Sequence, residues 1–233
     1  MSKSCLKILS AILAAAQLFF LTGCAATESQ MPSSQIVEMQ NTYPYHADLL
    51  KHAISGSIQS TASYPWGPNS LEENNRASTS AVEGRITDMR SFLTPNGTPY
   101  TMVDITISRV LKGDTLSAGG QASVVIAGGR IPLREFIEAN GIGYLFNDMG
   151  ESEIEATILD IPLFRSFNCN IGAEHLFLIV EADREPFASG SYHVMMVLEG
   201  IGGGMAASKT PEGEIIYSME EIESVIKNTY PIE

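Results

Sequence analysis

The chain has 233 residues, with 14 basic and 27 acidic side chains and a formal net charge of −13. A hydrophobic fraction of 44% against 18% charged residues supports a packed core and excludes wholesale disorder. The acidity excludes nucleic acid as a partner, because phosphate neutralisation needs clustered Lys and Arg. Residues 1–23 read as a secretory leader: Lys3 and Lys7 supply positive charge, Ile8 to Leu21 is apolar, and small residues follow. The apolar run is 14 residues long and carries Gln17. A spanning helix needs about 20 residues.

Directly after that run, Leu21-Thr22-Gly23-Cys24 resembles the lipobox of bacterial lipoproteins. The resemblance implies cleavage before Cys24, a diacylglyceryl group on its thiol, and a protein held by lipid on the extracytoplasmic face of the cell membrane. Two acyl chains matter, since one alone anchors only marginally. Cys5 then leaves with the leader and Cys24 becomes a thioether. Cys169 is left without a disulfide partner and is expected as a small buried hydrophobe, in a fold held by its core alone.

Ala25 to Asp48 is rich in Ser, Gln, Thr and Pro, the composition of a flexible tether spanning roughly 25–30 Å. One folded domain is expected over 49–233. Leu49-Leu50, Ala53-Ile54 and Ile58 mark a short helical turn leading into a strand. Residues 61–80 read as a polar loop. Val82 to Leu93 and Tyr100 to Leu111 read as two strands joined at Asn96-Gly97, a strong hairpin signal. In the second, Val103, Ile105 and Ile107 share one face, while Met102, Asp104, Thr106 and Ser108 share the other, mainly wet one.

Ala122 to Ala127 is a third strand. His175 to Glu181, apolar throughout its middle, is a central one, and Tyr192 to Leu198 follows. Pro132 to Asn140 is punctuated as a helix by its leading Pro and by Gly141. Ile154 to Leu159 reads as a further strand. Ser218-Met219-Glu220-Glu221 is a capping box that opens a terminal helix over 219–228. Short antiparallel strands with few helices predict a mainly β, small closed barrel with one inserted short helix and a C-terminal helix.

Over roughly residues 80–200, two motifs resemble the netrin-like and metalloprotease-inhibitor-like domains: Val110-Leu111-Lys112-Gly113, and Gly172-Ala173-Glu174-His175-Leu176-Phe177-Leu178. His175 stands where those families usually carry Tyr, and the disulfides of many relatives are missing. The resemblance implies an OB-type five-stranded barrel and transfers no functional residue. An inhibitory free amino-terminal Cys is ruled out if Cys24 is acylated.

Local catalytic motifs are absent: there is no H-E-x-x-H, C-x-x-C, G-x-S-x-G or Walker loop. Gly200 to Gly204 reads as a flexible turn, because Met205 replaces the last glycine of a dinucleotide fingerprint. His46 and His52 lie off one helical face. His175 and His193 start two strands that could be neighbours, which makes a metal pair conceivable, although unrelated strand histidines are the ordinary alternative. The acidic run Asp148, Glu151, Glu153 and Glu155 lacks the EF-hand pattern and reads as a solvated loop. Trp66 and Phe187 are candidate ligand-contact residues, weighed against a role as plugs of the barrel end.

No catalytic residue, metal site or cofactor is assigned. The expectation is a lipid-anchored binding module facing an envelope partner, with a hydrolase whose groups converge only in the fold as the alternative.

Overall fold

The computed structural model describes residues 46, 57–59, 70–163, 169–182, 191–210 and 213–228. In chain order the strands are β1 (Ser57–Gln59), β2 (Ser80–Leu93), β3 (Pro99–Lys112), β4 (Gln121–Ala127), β5 (Gly129–Pro132), β6 (Ile158–Ile161), β7 (Glu174–Glu181), β8 (Ser191–Gly202), β9 (Met205–Thr210) and β10 (Gly213–Ser218). The helices are α1 (Leu71–Ala77), α2 (Leu133–Asn140), α3 (Glu151–Ala156) and α4 (Met219–Asn228), with a 3-10 turn at Gly143–Phe146. The chain divides into two compact units. One comprises Met1–Ser63, Ser91–Tyr100 and Gly128–Pro162, and the other Tyr64–Arg90, Thr101–Ala127 and Leu163–Glu233.

The second unit carries the barrel. Strands run in the order β8-β4-β3-β2-β7, and β7 pairs back to β8, which closes the sheet. β7 is antiparallel to both β2 and β8, while β4 and β8 run parallel, with Val124 opposite Tyr192. This is the OB-like barrel expected from the sequence, and closure leaves its five strands without an open edge.

The apolar middle of β7 is explained by burial on both faces. Phe177 faces Val82 on one side and Val197 on the other, and all three are buried. Its alternate residues, Leu176 and Leu178, join a second cluster with Ala81, Met196, Leu198, Leu71, Tyr217, Ile222 and Ile226. Val103, Ile105 and Ile107 of β3 are buried as the alternation predicted. Val180 is only half-buried, a departure from the expected core face. A register shift between Leu178 and Ile179 precedes it, and the strand ends at Glu181.

The second cluster lies under a layer that the sequence reading only half anticipated. Helix α4 is where its capping box placed it, with Glu221 N donating to Ser218 Oγ at 3.1 Å. Helix α1, however, occupies part of the stretch read as a polar loop. It begins the same way, with Glu73 N donating to Ser70 Oγ at 3.1 Å. The glycine-rich turn is present, with Gly202, Gly203 and Gly204 all at positive φ, but it leads from β8 into β9, which pairs on with β10 in a hairpin that alternation did not reveal.

The first unit is built around a three-stranded sheet. β6 is central, parallel to β1 and antiparallel to β5. Helix α2 starts after Pro132, whose missing N–H costs nothing there, and stops at Gly141 in the left-handed region at φ 62°. Leu133, Ile137, Ile142 and Phe146 make its small core. The stretch read as a strand from Ile154 is the end of α3 followed by β6. At the β2–β3 turn in this unit, Thr94 N donates to Thr98 O at 3.0 Å and Gly97 sits at φ 77°. Asn140 Nδ2 of α2 donates to Gly97 O at 3.2 Å. Among the described residues no helix is long and apolar enough to cross a membrane.

Candidate functional site

The residues that could do chemistry on the barrel collect on the outer wall formed by β2, β3 and β4. Along β2 the buried positions switch from Val82, Gly84 and Ile86 to Met89. Two successive residues, Thr87 and Asp88, therefore both lie outside the core, as an inserted strand residue produces. Together with Arg90, Asp104, Gln121, Ala122 and Ser123 they line an open cavity of about 400 Å³.

Asp104 organises this cavity. Its Oδ2 accepts from Arg90 Nη1 at 2.5 Å, and its Oδ1 accepts from Ser123 Oγ at 2.6 Å. Its backbone carbonyl accepts from Thr87 Oγ1 at 3.0 Å. Arg90 also reaches Met102 Sδ at 2.9 Å from Nη2 and lies 3.8 Å from Asp88. Both charged partners are about a quarter exposed, so the guanidinium is fixed in orientation yet accessible. A planar donor fork held by a carboxylate is the geometry that Arg uses for directional recognition.

Three strands thus converge on the cavity without a nucleophile–base pair. Ser123 donates its proton to a carboxylate that is already paired with Arg90, and no His is among the described residues that line the cavity. The arrangement can hold and orient a polar ligand.

The residues singled out from sequence fare differently. Cys24, Trp66 and Phe187 lie outside the described residues. His175 and His193 are not brought together. β7 and β8 are indeed neighbours, but antiparallel, so His175 sits opposite Glu199 and His193 opposite Val180 at the far end. His175 is buried, edge-on to Phe177 with ring centroids 6.0 Å apart.

His46 pairs with Glu135 at 2.8 Å and bridges to Ser91 through the backbone; His52 lies outside the described residues. The acidic run contributes Glu151 and Glu155 to Arg134, the latter at 2.9 Å. No cluster of metal-ligating side chains occurs among the described residues. Cys169 lies 3.1 Å from Met89 Sδ, and burial pushes its thiol up to about 12, the opposite of what a nucleophile needs.

The Arg90–Asp104 pair was not picked out in the sequence, although a signal existed. The two residues stand seven positions either side of Gly97, so a hairpin turning there brings them near each other with opposite charge. Comparison with protein-family models and with curated proteins finds no match for this chain.

Proposed function

We propose that this chain is a lipid-anchored extracytoplasmic binding module whose ligand enters the outer-wall cavity of the barrel. The observation that carries the reading is the Arg90–Asp104–Ser123 network: a pre-oriented guanidinium in an open polar cavity, with the Ser123 hydroxyl engaged by the carboxylate that holds it. Pre-orientation serves binding because little side-chain freedom remains to be lost when a ligand arrives. A sheet face is a surface that OB-type barrels use for ligands, though fold alone does not assign one. The leader, the lipobox at Cys24 and the tether support placement at the membrane, where an envelope partner or ligand is within reach.

Two measurements test this. Detergent partitioning of the wild type and Cys24→Ala should separate a membrane-held form from a released or unprocessed one. Capture of envelope material by the anchored protein should fall with Arg90→Gln at unchanged melting temperature. Equal partitioning rules out the anchor. Capture indifferent to Arg90, or turnover of an envelope substrate that depends on a His or carboxylate elsewhere, rules out the binding reading.

A further inference from the structure

We infer that the ligand of the outer-wall cavity is a neutral, hydroxyl-rich oligosaccharide; this rests on the cavity being the binding site. The argument is one of charge and of hydrogen-bond inventory. Among the described residues, the cavity is lined by one guanidinium and two carboxylates, those of Arg90, Asp88 and Asp104, and by no Lys or His. Arg90 is already balanced by Asp104 at 2.5 Å and approached by Asp88 at 3.8 Å. An anionic ligand therefore meets no net positive charge here, and the whole chain at −13 repels it from a distance. A cationic ligand is drawn by the overall charge but finds only Asp88 to pair with, a carboxylate that Arg90 already approaches, since both side-chain oxygens of Asp104 are engaged by Arg90 and Ser123.

A neutral ligand remains, and the lining says which kind. Among the described lining residues only Ala122 is apolar and none is aromatic, a surface that matches neither a lipid tail nor a stacked base. Thr87 and Ser123 have spent their hydroxyl protons on Asp104 and keep acceptor oxygens. The Gln121 amide, on an exposed residue, offers both a donor and an acceptor. The half-exposed Asp88 carboxylate only accepts, and the Arg90 guanidinium only donates. Donors and acceptors thus share one short patch. A hydroxyl group both donates and accepts, and a saccharide presents rows of them at neighbouring carbons. The cavity volume, about 400 Å³, lies within the small-ligand range of roughly 300–1,000 Å³.

The test uses the full lipidated chain in detergent and tetrasaccharides of controlled charge. Chitotetraose, cellotetraose, maltotetraose and mannotetraose are the neutral probes, fully de-N-acetylated chitotetraose the cationic one, and tetragalacturonate the anionic one. Calorimetry gives affinity, and backbone amide shifts at residues 87–90 and 121–123 locate binding. At least one neutral probe should bind and shift those amides. Arg90→Lys, which keeps the charge but loses the fork, should weaken it by at least about tenfold. Gln121→Ala, at an exposed position, should weaken it without moving the melting temperature.

Neutral binding that survives both substitutions overturns the inference. So does binding of only the charged probes at these amides, or binding of none of the six while envelope extract still shifts them; in either case the cavity stands as a binding site. If neither probes nor extract move these amides, the binding reading of the cavity falls as well.

Discussion

Lys112 Nζ donates to the carbonyl oxygen of Ser78 at 2.7 Å, tying the end of β3 to the end of α1. The same ammonium donates to Asn75 O and reaches Ser78 Oγ at 3.4 Å, so its three protons meet three acceptors. A cation on the last carbonyls of a helix satisfies groups that the helix itself leaves unpaired. The Val110-Leu111-Lys112-Gly113 motif is therefore a structural fastening. Removing the ammonium while keeping an apolar stem, in Lys112→Met, should cost about 1.5–3 kcal/mol in denaturant melts.

The pH dependence of that cost has a definite sign. Burial holds the Lys112 ammonium below its ordinary value of 10.5. Between the folded and unfolded values the unfolded chain binds more protons, so stability rises with pH in that window. The gap between wild type and Lys112→Met should widen as pH climbs towards 10.5 and be constant below the folded value. A gap that narrows instead contradicts the burial of this ammonium.

Gly113, the next residue, sits at φ 91°, and a Cβ there would lie 2.6 Å from Ser80 Oγ and 2.9 Å from Thr79 O. Strained backbone and overlap act together. Gly113→Ala should lose about 1–3 kcal/mol from conformation alone, with the contact adding to it. Gly119→Ala, also at positive φ but in open space, gives the reference for backbone strain without the clash.

The barrel's inner face can be tested on adjacent residues. Ile105 is fully buried and Thr106 is half-exposed. Ile105→Ala should cost about 2–5 kcal/mol, and Thr106→Ala should fall within about 0.5 kcal/mol of wild type, as surface changes do. Equal losses would mean that β3 is out of register.

Cys169 should behave as an inert thiol. With burial raising it from 9.0 to about 12, the folded state keeps the proton that the unfolded state loses first. Its contribution to stability is complete below pH 9 and is lost as pH rises from there towards 12. Native protein at pH 8 should react slowly with a thiol reagent and denatured protein fast. Rapid labelling of the folded chain contradicts the buried environment.

The barrel was legible because its strands carry local signals: alternation in β3, an Asn-Gly turn, an apolar β7. What was missed is tertiary in origin. Ser70-Leu71-Glu72-Glu73 and Ser218-Met219-Glu220-Glu221 are the same start signal. Only the second is followed by an apolar stripe, Ile222, Val225 and Ile226. Helix α1 buries Leu71 together with two asparagines, and Asn75 Nδ2 donates to Val225 O at 3.2 Å, a partner 150 residues away. β9 buries Ala206, Ala207 and Ser208, too small and too polar to read as a strand. The cavity needed three strands side by side, which spacing along the chain does not reveal.

Ser80 pairs with Ile179 and Arg85 with Glu174, so the seam that closes the barrel joins residues roughly a hundred positions apart. Everything between them, residues 91–100 and 128–162 of the first unit included, is made before the seam can form. Closing so long a loop is entropically slow, and non-local β pairings place a domain among the slower folders, in the millisecond-to-second range. Under the export proposed above, this delay would be an advantage: the barrel cannot shut until β7 has been synthesised, and the first strands would stay in a form that can still be moved across a membrane.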